Sequence, residues 1–219
     1  MDHIKKNLEE IQATIPDGVL LVAVTKTRTV DEINEAIRLG ITDIGENKVQ
    51  EILEKYDKVS PVRWHLIGHL QTNKVKQIID KVDLIHSVDS MHLAIEINKR
   101  AAQAGIMIHI LVQVNAAQEE SKFGVPSGET EALVKQILAE CPQIIISGLM
   151  FIAPFDDPHN VREYFADVKN QFDQLKKIQH PRLDFKVLSM GMSNDYQVAI
   201  EEGANLVRVG SAIFGTRNY

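Results

Sequence analysis

Cysteine is almost missing from this chain. Of 219 residues only Cys141 is one, which excludes an internal disulfide and any metal site built on several thiolates. Lying beside Pro142 at the end of a helix-period segment, it reads as structural. An excess of positive charge is lacking too. The formal net charge is −6, so neither nucleic acid nor a membrane surface is expected as a partner. The basic pairs Lys5-Lys6 and Lys176-Lys177 read as solvated helix faces. No apolar run approaches the roughly 20 residues of a membrane span, and Met1-Asp2-His3-Ile4-Lys5-Lys6 contains no apolar signal core. A reducing, cytoplasmic location is therefore expected. Low-complexity stretches and long linkers are also absent, and residues 1–219 read as one domain with one core. Hydrophobic residues at 44% and charged residues at 25% are ordinary for a globular protein.

What is present is an alternation. Apolar runs of strand length occur at Val19 to Lys26, Asp43 to Glu46, Trp64 to Gly68, Leu84 to Val88, Met107 to Asn115, Ile144 to Phe151, Lys186 to Met190 and Leu206 to Val209. A helix-period segment follows each, the last a short one. An additional amphipathic helix precedes the first strand, with Ile4, Leu8, Ile11 and Ile15 on one face and Pro16-Asp17-Gly18 as its stop. Thr29-Val30-Asp31-Glu32 has the form of a capping box, Ile33, Ala36 and Ile37 make the buried stripe behind it, and Gly40 ends that helix. Strict alternation implies parallel strands. Eight of them favour an α/β fold closed into a single (β/α)8 TIM barrel with an extra N-terminal helix.

In such a barrel the C-terminal ends of the strands carry the chemistry, and here those ends are polar. They supply Lys26, Glu46 and Asn47, His65 and His69, Ser87 and Asp89, Asn115, Ser189, and Arg208 with Gly210 and Ser211. Lys26 closes the run Val22-Ala23-Val24-Thr25-Lys26-Thr27. Partial burial there lowers a lysine pKa from about 10.4 and favours condensation with an aldehyde; a solvated strand-end charge is the plain alternative. His109 lies within a strand and reads as a satisfied core or outer-face residue.

Two adjacent loops, Ser189-Met190-Gly191-Met192-Ser193 and Arg208-Val209-Gly210-Ser211-Ala212, put glycine and hydroxyl residues where barrels commonly hold phosphate. Singly, Ser193 and Ser211 are equally well explained as helix N-caps; together the loops favour an anion. Arg208 sits in the apolar run Leu206-Val207-Arg208-Val209 and needs a partner. That partner is either an acid such as Glu46 or an acceptor atom of a ligand, for which a pyridine nitrogen is a candidate. A lysine for an aldehyde, a phosphate cradle and an arginine for a ring nitrogen together describe pyridoxal 5′-phosphate (PLP).

The segments Val22 to Thr27, Gly45-Glu46-Asn47, Trp64-His65-Leu66-Ile67-Gly68-His69-Leu70-Gln71-Thr72-Asn73-Lys74, Ser189 to Asp195, and Val207-Arg208-Val209-Gly210 with Ile213-Phe214-Gly215, in this order, resemble the pyridoxal phosphate homeostasis protein family over nearly the whole chain. The resemblance implies a fold type III barrel, like the N-terminal domain of alanine racemase, holding PLP as an internal aldimine. By it Lys26 is the aldimine lysine, Asn47 lies beside the cofactor and Arg208 faces the pyridine nitrogen. Ser189, Gly210 and Ser211 fall on phosphate-binding positions, with Met190, Gly191 and Ser193 nearby. No metal is implied. Phe151 departs from the pattern, where a smaller or polar residue is expected, and His69 is assigned no role.

The expected function is that of a non-catalytic PLP carrier or buffer in vitamin B6 and amino-acid homeostasis, monomeric, with PLP-dependent apoenzymes as recipients. Alanine racemase adds a C-terminal β domain and a partner's tyrosine; with the chain ending at Tyr219, neither is expected here. A PLP-dependent amino-acid racemase is the second reading, and a barrel enzyme using Lys26 on a phosphorylated sugar the third.

Overall fold

Short runs buried along nearly their whole length, with helices in the connections between them, produce the architecture seen in a computed structural model describing residues 2–119 and 122–215. Tyr219 lies outside them. The strands are β1 Leu20–Val24, β2 Asp43–Glu46, β3 Arg63–Leu66, β4 Leu84–Val88, β5 Ile108–Asn115, β6 Val125–Pro126, β7 Ile144–Phe151, β8 Leu183–Met192 and β9 Leu206–Val209. All pair in parallel, in the order β4-β3-β2-β1-β9-β8-β7-β5, and a further β4–β5 pairing closes the ring into an eight-stranded barrel. The short β6 attaches to β5 outside the ring and was not expected from the sequence. Its two residues have no periodicity, and a proline is tolerated there because the strand lies at an edge.

Around the barrel lie α1 Asp2–Gln12, α2 Val30–Arg38, α3 Val49–Lys55, α4 Val75–Ile78, α5 Met91–Ala104, α6 Thr130–Glu140, α7 Arg162–Leu175, α8 Tyr196–Glu201 and α9 Ser211–Phe214. Ile4, Leu8 and Ile11 of α1 are buried, as their spacing predicts. The capping box is formed: Thr29 Oγ1 accepts from the Glu32 amide at 3.2 Å and Glu32 Oε2 accepts from the Thr29 amide at 2.8 Å. Cys141, buried, ends α6.

Two apolar clusters result. The larger fills the layer between strands and helices, while Val22, Leu84, Leu111, Met150 and Leu206 fill part of the barrel interior. The rest of that interior is polar. Asp43, His65, His86, Ser189 and Arg208, all buried, occupy inward-facing positions on β2, β3, β4, β8 and β9. Among the described residues no helix is long and apolar enough to cross a membrane.

Candidate functional site

The sequence-predicted residues converge on one arc of the C-terminal mouth, because β8, β9, β1 and β2 are consecutive neighbours in the ring. Lys26 follows β1 by two residues in a turn and is half-buried. Asn47 directly follows β2. The β8 and β9 loops complete the arc.

The turn bearing Lys26 is fixed by groups on α3. Lys55 Nζ donates to the Thr25 carbonyl at 2.9 Å and to Glu46 Oε1 at 2.7 Å, and Thr25 Oγ1 donates to the same carboxylate oxygen at 2.7 Å. Glu51, also paired with Lys55 at 2.7 Å, accepts from the Thr27 amide at 2.6 Å. Both neighbours of Lys26 are therefore clamped, and Thr27 is held at φ 63°, a left-handed conformation that a threonine adopts only when its surroundings impose it. Burial pushes the Glu46 carboxyl up, against the opposing effect of the Lys55 ammonium. Glu46 was expected on the mouth or against Arg208. It is instead one residue out of phase with the inward-facing Gly45 and points into the helix layer, where Lys55 neutralises it. Sequence reasoning missed Glu51 and Lys55, since an acid and a lysine on a helix normally read as solvated.

The phosphate-type loops are rearranged relative to expectation. Ser189 Oγ accepts from Arg208 Nη1 at 2.5 Å and lies 3.0 Å from His86 Nδ1, fully buried, so it supports the arginine and lies below the loop. Met190 packs its side chain into the helix layer and offers the mouth only its backbone. Gly191 has φ +95°, and a Cβ there would lie 2.7 Å from Ala199 Cβ; glycine is needed for α8 to dock on β8, rather than for a ligand's approach. Neither Ser193 nor Ser211 is a helix N-cap: the N-cap positions are Asp195 and Gly210. Ser193 Oγ instead accepts from the amides of Gly210 at 3.2 Å and Ala212 at 3.5 Å, so it spans the two loops. Ser211, the first residue of α9, is exposed. The helices that follow have six and four residues, too short to add much beyond their end amides.

Arg208 donates its second Nη group to the Phe151 carbonyl at 2.8 Å. Among the described residues it has no carboxylate partner. Burial pushes its pKa down to about 10, opposed only by the more distant Asp195 charge. A buried guanidinium with neutral partners retains donors for an acceptor atom. Phe151, whose side chain departed from the family pattern, points its ring at Phe165 (5.8 Å between centroids), so only its carbonyl bears on the site.

Other rim residues close their own loops. Asn115 donates to the Glu119 carbonyl at 3.0 Å, and Asp89 accepts from the Gly124 amide at 3.3 Å. His69 stacks on Phe123 at 3.8 Å. His65, expected at the rim, lies inside the barrel against Asp43, and His109 bonds Ser147 at 2.7 Å.

Two observations bear on whether a cofactor such as PLP fits. Asn47 Oδ1, just past the end of β2, is a buried polar atom with no hydrogen-bond partner among the described residues. Gly68 leaves no room for a side chain: a Cβ would lie 2.3 Å from the Asn47 carbonyl, so the loop after β3 presses directly on the backbone of Asn47. An orphaned amide oxygen on a fixed backbone, an arginine lacking a counter-charge and a cluster of loop amides held by one hydroxyl match an aromatic acceptor bearing phosphate.

The chain matches the family model described as alanine racemase, N-terminal domain, over residues 1–218. It is 43% identical over 202 residues to the pyridoxal phosphate homeostasis protein of Aquifex aeolicus, covering 91% of this chain and 87% of that one. The human protein of that name is 38% identical over 211 residues, covering 91% and 77%. Among solved structures, PipY of Synechococcus elongatus with PLP bound superposes with a TM-score of 0.88 at 34% identity, covering 97% of this chain and all of that chain. Alanine racemase of Clostridium difficile shares the fold, with a TM-score of 0.79 at 15% identity over 58% of its length.

Proposed function

We propose that this chain, which belongs to the pyridoxal phosphate homeostasis protein family, binds PLP at the C-terminal mouth of its barrel and acts as a carrier or buffer of it, as a single domain. The observation carrying this reading is the convergence of Lys26, Asn47, Arg208 and the Ser193-bridged loops on one arc. PLP supplies an aldehyde, a ring nitrogen and a phosphate. Lys26 takes the aldehyde carbon, and Arg208 donates to the ring nitrogen. Asn47 lies beside the ring. The hydroxyls of Ser193 and Ser211 donate to the phosphate, that of Ser193 held in place because its oxygen accepts from the Gly210 and Ala212 amides.

A carrier role suits this constellation better than turnover. Arg208 is a donor, so the ring nitrogen stays an acceptor and the ring draws electrons weakly. The three described tyrosines are committed elsewhere: Tyr56 packs on Trp64, Tyr164 on Phe151, and the Tyr196 hydroxyl bonds Thr14 at 2.7 Å. None of them is placed as a second acid–base opposite Lys26. On the same reading the protein is a cytoplasmic monomer that delivers PLP to apoenzymes.

The test is spectroscopic. The protein mixed with PLP is expected to show a visible band that borohydride removes, leaving about 230 Da of reduced cofactor on the peptide containing Lys26. It should exchange the α-proton of alanine far more slowly than about 1 per second, an ordinary enzyme rate. Rapid, saturable racemisation would convert the reading to an enzyme.

Phosphate anchoring is separable from capture of the aldehyde. Ser193→Ala with Ser211→Ala removes two hydroxyls facing an anion, each bond worth roughly 1.5 to 3 kcal/mol, so PLP affinity should fall at least tenfold. Pyridoxal, lacking phosphate, should bind both proteins equally weakly. Equal titrations of PLP and pyridoxal against the unmodified protein would reduce these loops to turns.

A further inference from the structure

The polar side chains inside the barrel form one unbroken line. Arg208 Nη1 donates to Ser189 Oγ at 2.5 Å, and that oxygen lies 3.0 Å from His86 Nδ1. His86 Nε2 is 2.8 Å from His65 Nδ1, and His65 Nε2 is 2.8 Å from Asp43 Oδ1. At its far end the line reaches a cavity of about 380 Å³ at the N-terminal mouth, where Asp43 also takes the Arg63 guanidinium through contacts of 2.8 and 2.7 Å.

The chemistry of the two ends gives the line a direction. Arginine only donates, and an ionised carboxylate only accepts. With one proton on each imidazole, Asp43 takes the His65 Nε2 proton, which leaves His65 Nδ1 to accept from His86 Nε2. His86 Nδ1 then accepts from the Ser189 hydroxyl, and the hydroxyl oxygen is free to accept from Arg208. No two donors or two acceptors face each other. Complete burial first, and then the nearby Arg208 charge, hold the His86 pKa well below the usual imidazole range, in keeping with one proton on that ring. At the other end burial alone would raise the Asp43 pKa, but hydrogen bonds from His65, Arg63 and Thr42 outweigh it and keep the carboxylate ionised.

Packing alone does not require this line. The neighbouring part of the interior is filled by Val22, Leu84, Leu111, Met150 and Leu206, and buried polar chains are commonly no more stable than apolar replacements. What the line fixes is a proton pattern. We infer that His86 is a positioning residue for the cofactor: by accepting the Ser189 hydroxyl proton it turns that oxygen's lone pairs to Arg208, aims the guanidinium at the ring nitrogen, and ties its orientation to Asp43 at the opposite mouth. What Arg208 meets rests on the PLP reading above; the proton pattern is a property of the protein alone.

Two measurements test it. In cofactor-free protein at neutral pH, long-range nitrogen–proton spectra should show His65 and His86 neutral, each with its proton on Nε2. A charged His86, or one protonated on Nδ1, overturns the line whatever the protein binds. With PLP added, His86→Leu removes the acceptor and should weaken retention about tenfold, the loss of one bond linked to a charge, and displace the visible band. His86→Asn keeps an acceptor near the Nδ1 position and should restore both. Unchanged retention and band in folded His86→Leu overturn the positioning role. Should His86→Leu fail to fold, Ser189→Ala breaks the same link, and an unchanged band there is equally fatal. If the unmodified protein takes up no PLP, the function reading falls and the positioning role with it, while the spectra of the imidazoles still decide the line.

Discussion

Lys26→Ala should leave no cofactor fixed by borohydride and no visible band, while reversible PLP binding persists at reduced strength. The two effects separate because they come from different strands. Lys26 follows β1, whereas the amides gathered by Ser193 and the Arg208 guanidinium belong to β8, β9 and the loops after them. Equilibrium dialysis would record the residual binding, which phosphate should compete away. An adduct on another lysine, or a band of full intensity in Lys26→Ala, would remove Lys26 from the site.

Lys55→Met should be the most damaging single change away from the mouth, costing about 3 to 5 kcal/mol, because it leaves the buried Glu46 carboxylate without its counter-charge. The pH dependence follows from the sign of the shift. Burial already raises the Glu46 pKa, and losing Lys55 removes the charge that opposes this. In the variant the folded state then binds a proton more tightly than the unfolded chain does. Its stability is retained below the unfolded carboxyl pKa and lost as pH rises through the folded value. Urea unfolding across pH should show the variant nearest to the parent in acid, and adding Glu46→Gln should recover most of the loss. Slower PLP capture is expected as well, since the Thr25 carbonyl loses its donor and Glu51, which holds the Thr27 amide, loses its own partner. A flat pH response would mean that Glu46 is not the group left exposed by the loss of Lys55.

Barrel strands were legible where the chain is simplest. Asp43–Glu46, Leu84–Val88, Ile144–Phe151 and Leu206–Val209 stand where the apolar runs place them. β8 starts at Leu183, ahead of the expected Lys186, because the charged Asp184 interrupts the apolar run yet belongs to a strand paired as far down as Leu183. Which end of a strand a residue occupies was easier to read than which face it presents. Glu46, His65, Ser189 and Met190 were placed near the mouth, but their side chains are set by a period of two that separates barrel interior from helix layer. His86 escaped notice inside Leu84-Ile85-His86-Ser87-Val88. Counting alternately from the inward-facing Leu84 puts its ring in the interior, where an imidazole must find partners. Lys26 and Arg208 were conspicuous because each interrupts an apolar run; Lys55 was not, since its helix surrounds it with other charges.

The pairing of β1 with β9 gives the site a history as well as a shape. Lys26 leaves the ribosome well before Arg208, Gly210 and Ser211, so the strands from β2 to β8 are synthesised between the two halves of the site. Contacts so distant in sequence are costly to bring together and form only once the last strand has docked on the first. A ligand gripping both sides favours the closed ring over every partly folded form, by mass action. On the proposed function, PLP bound as β9 docks on β1 would hold the ring closed, the more so the higher its free concentration.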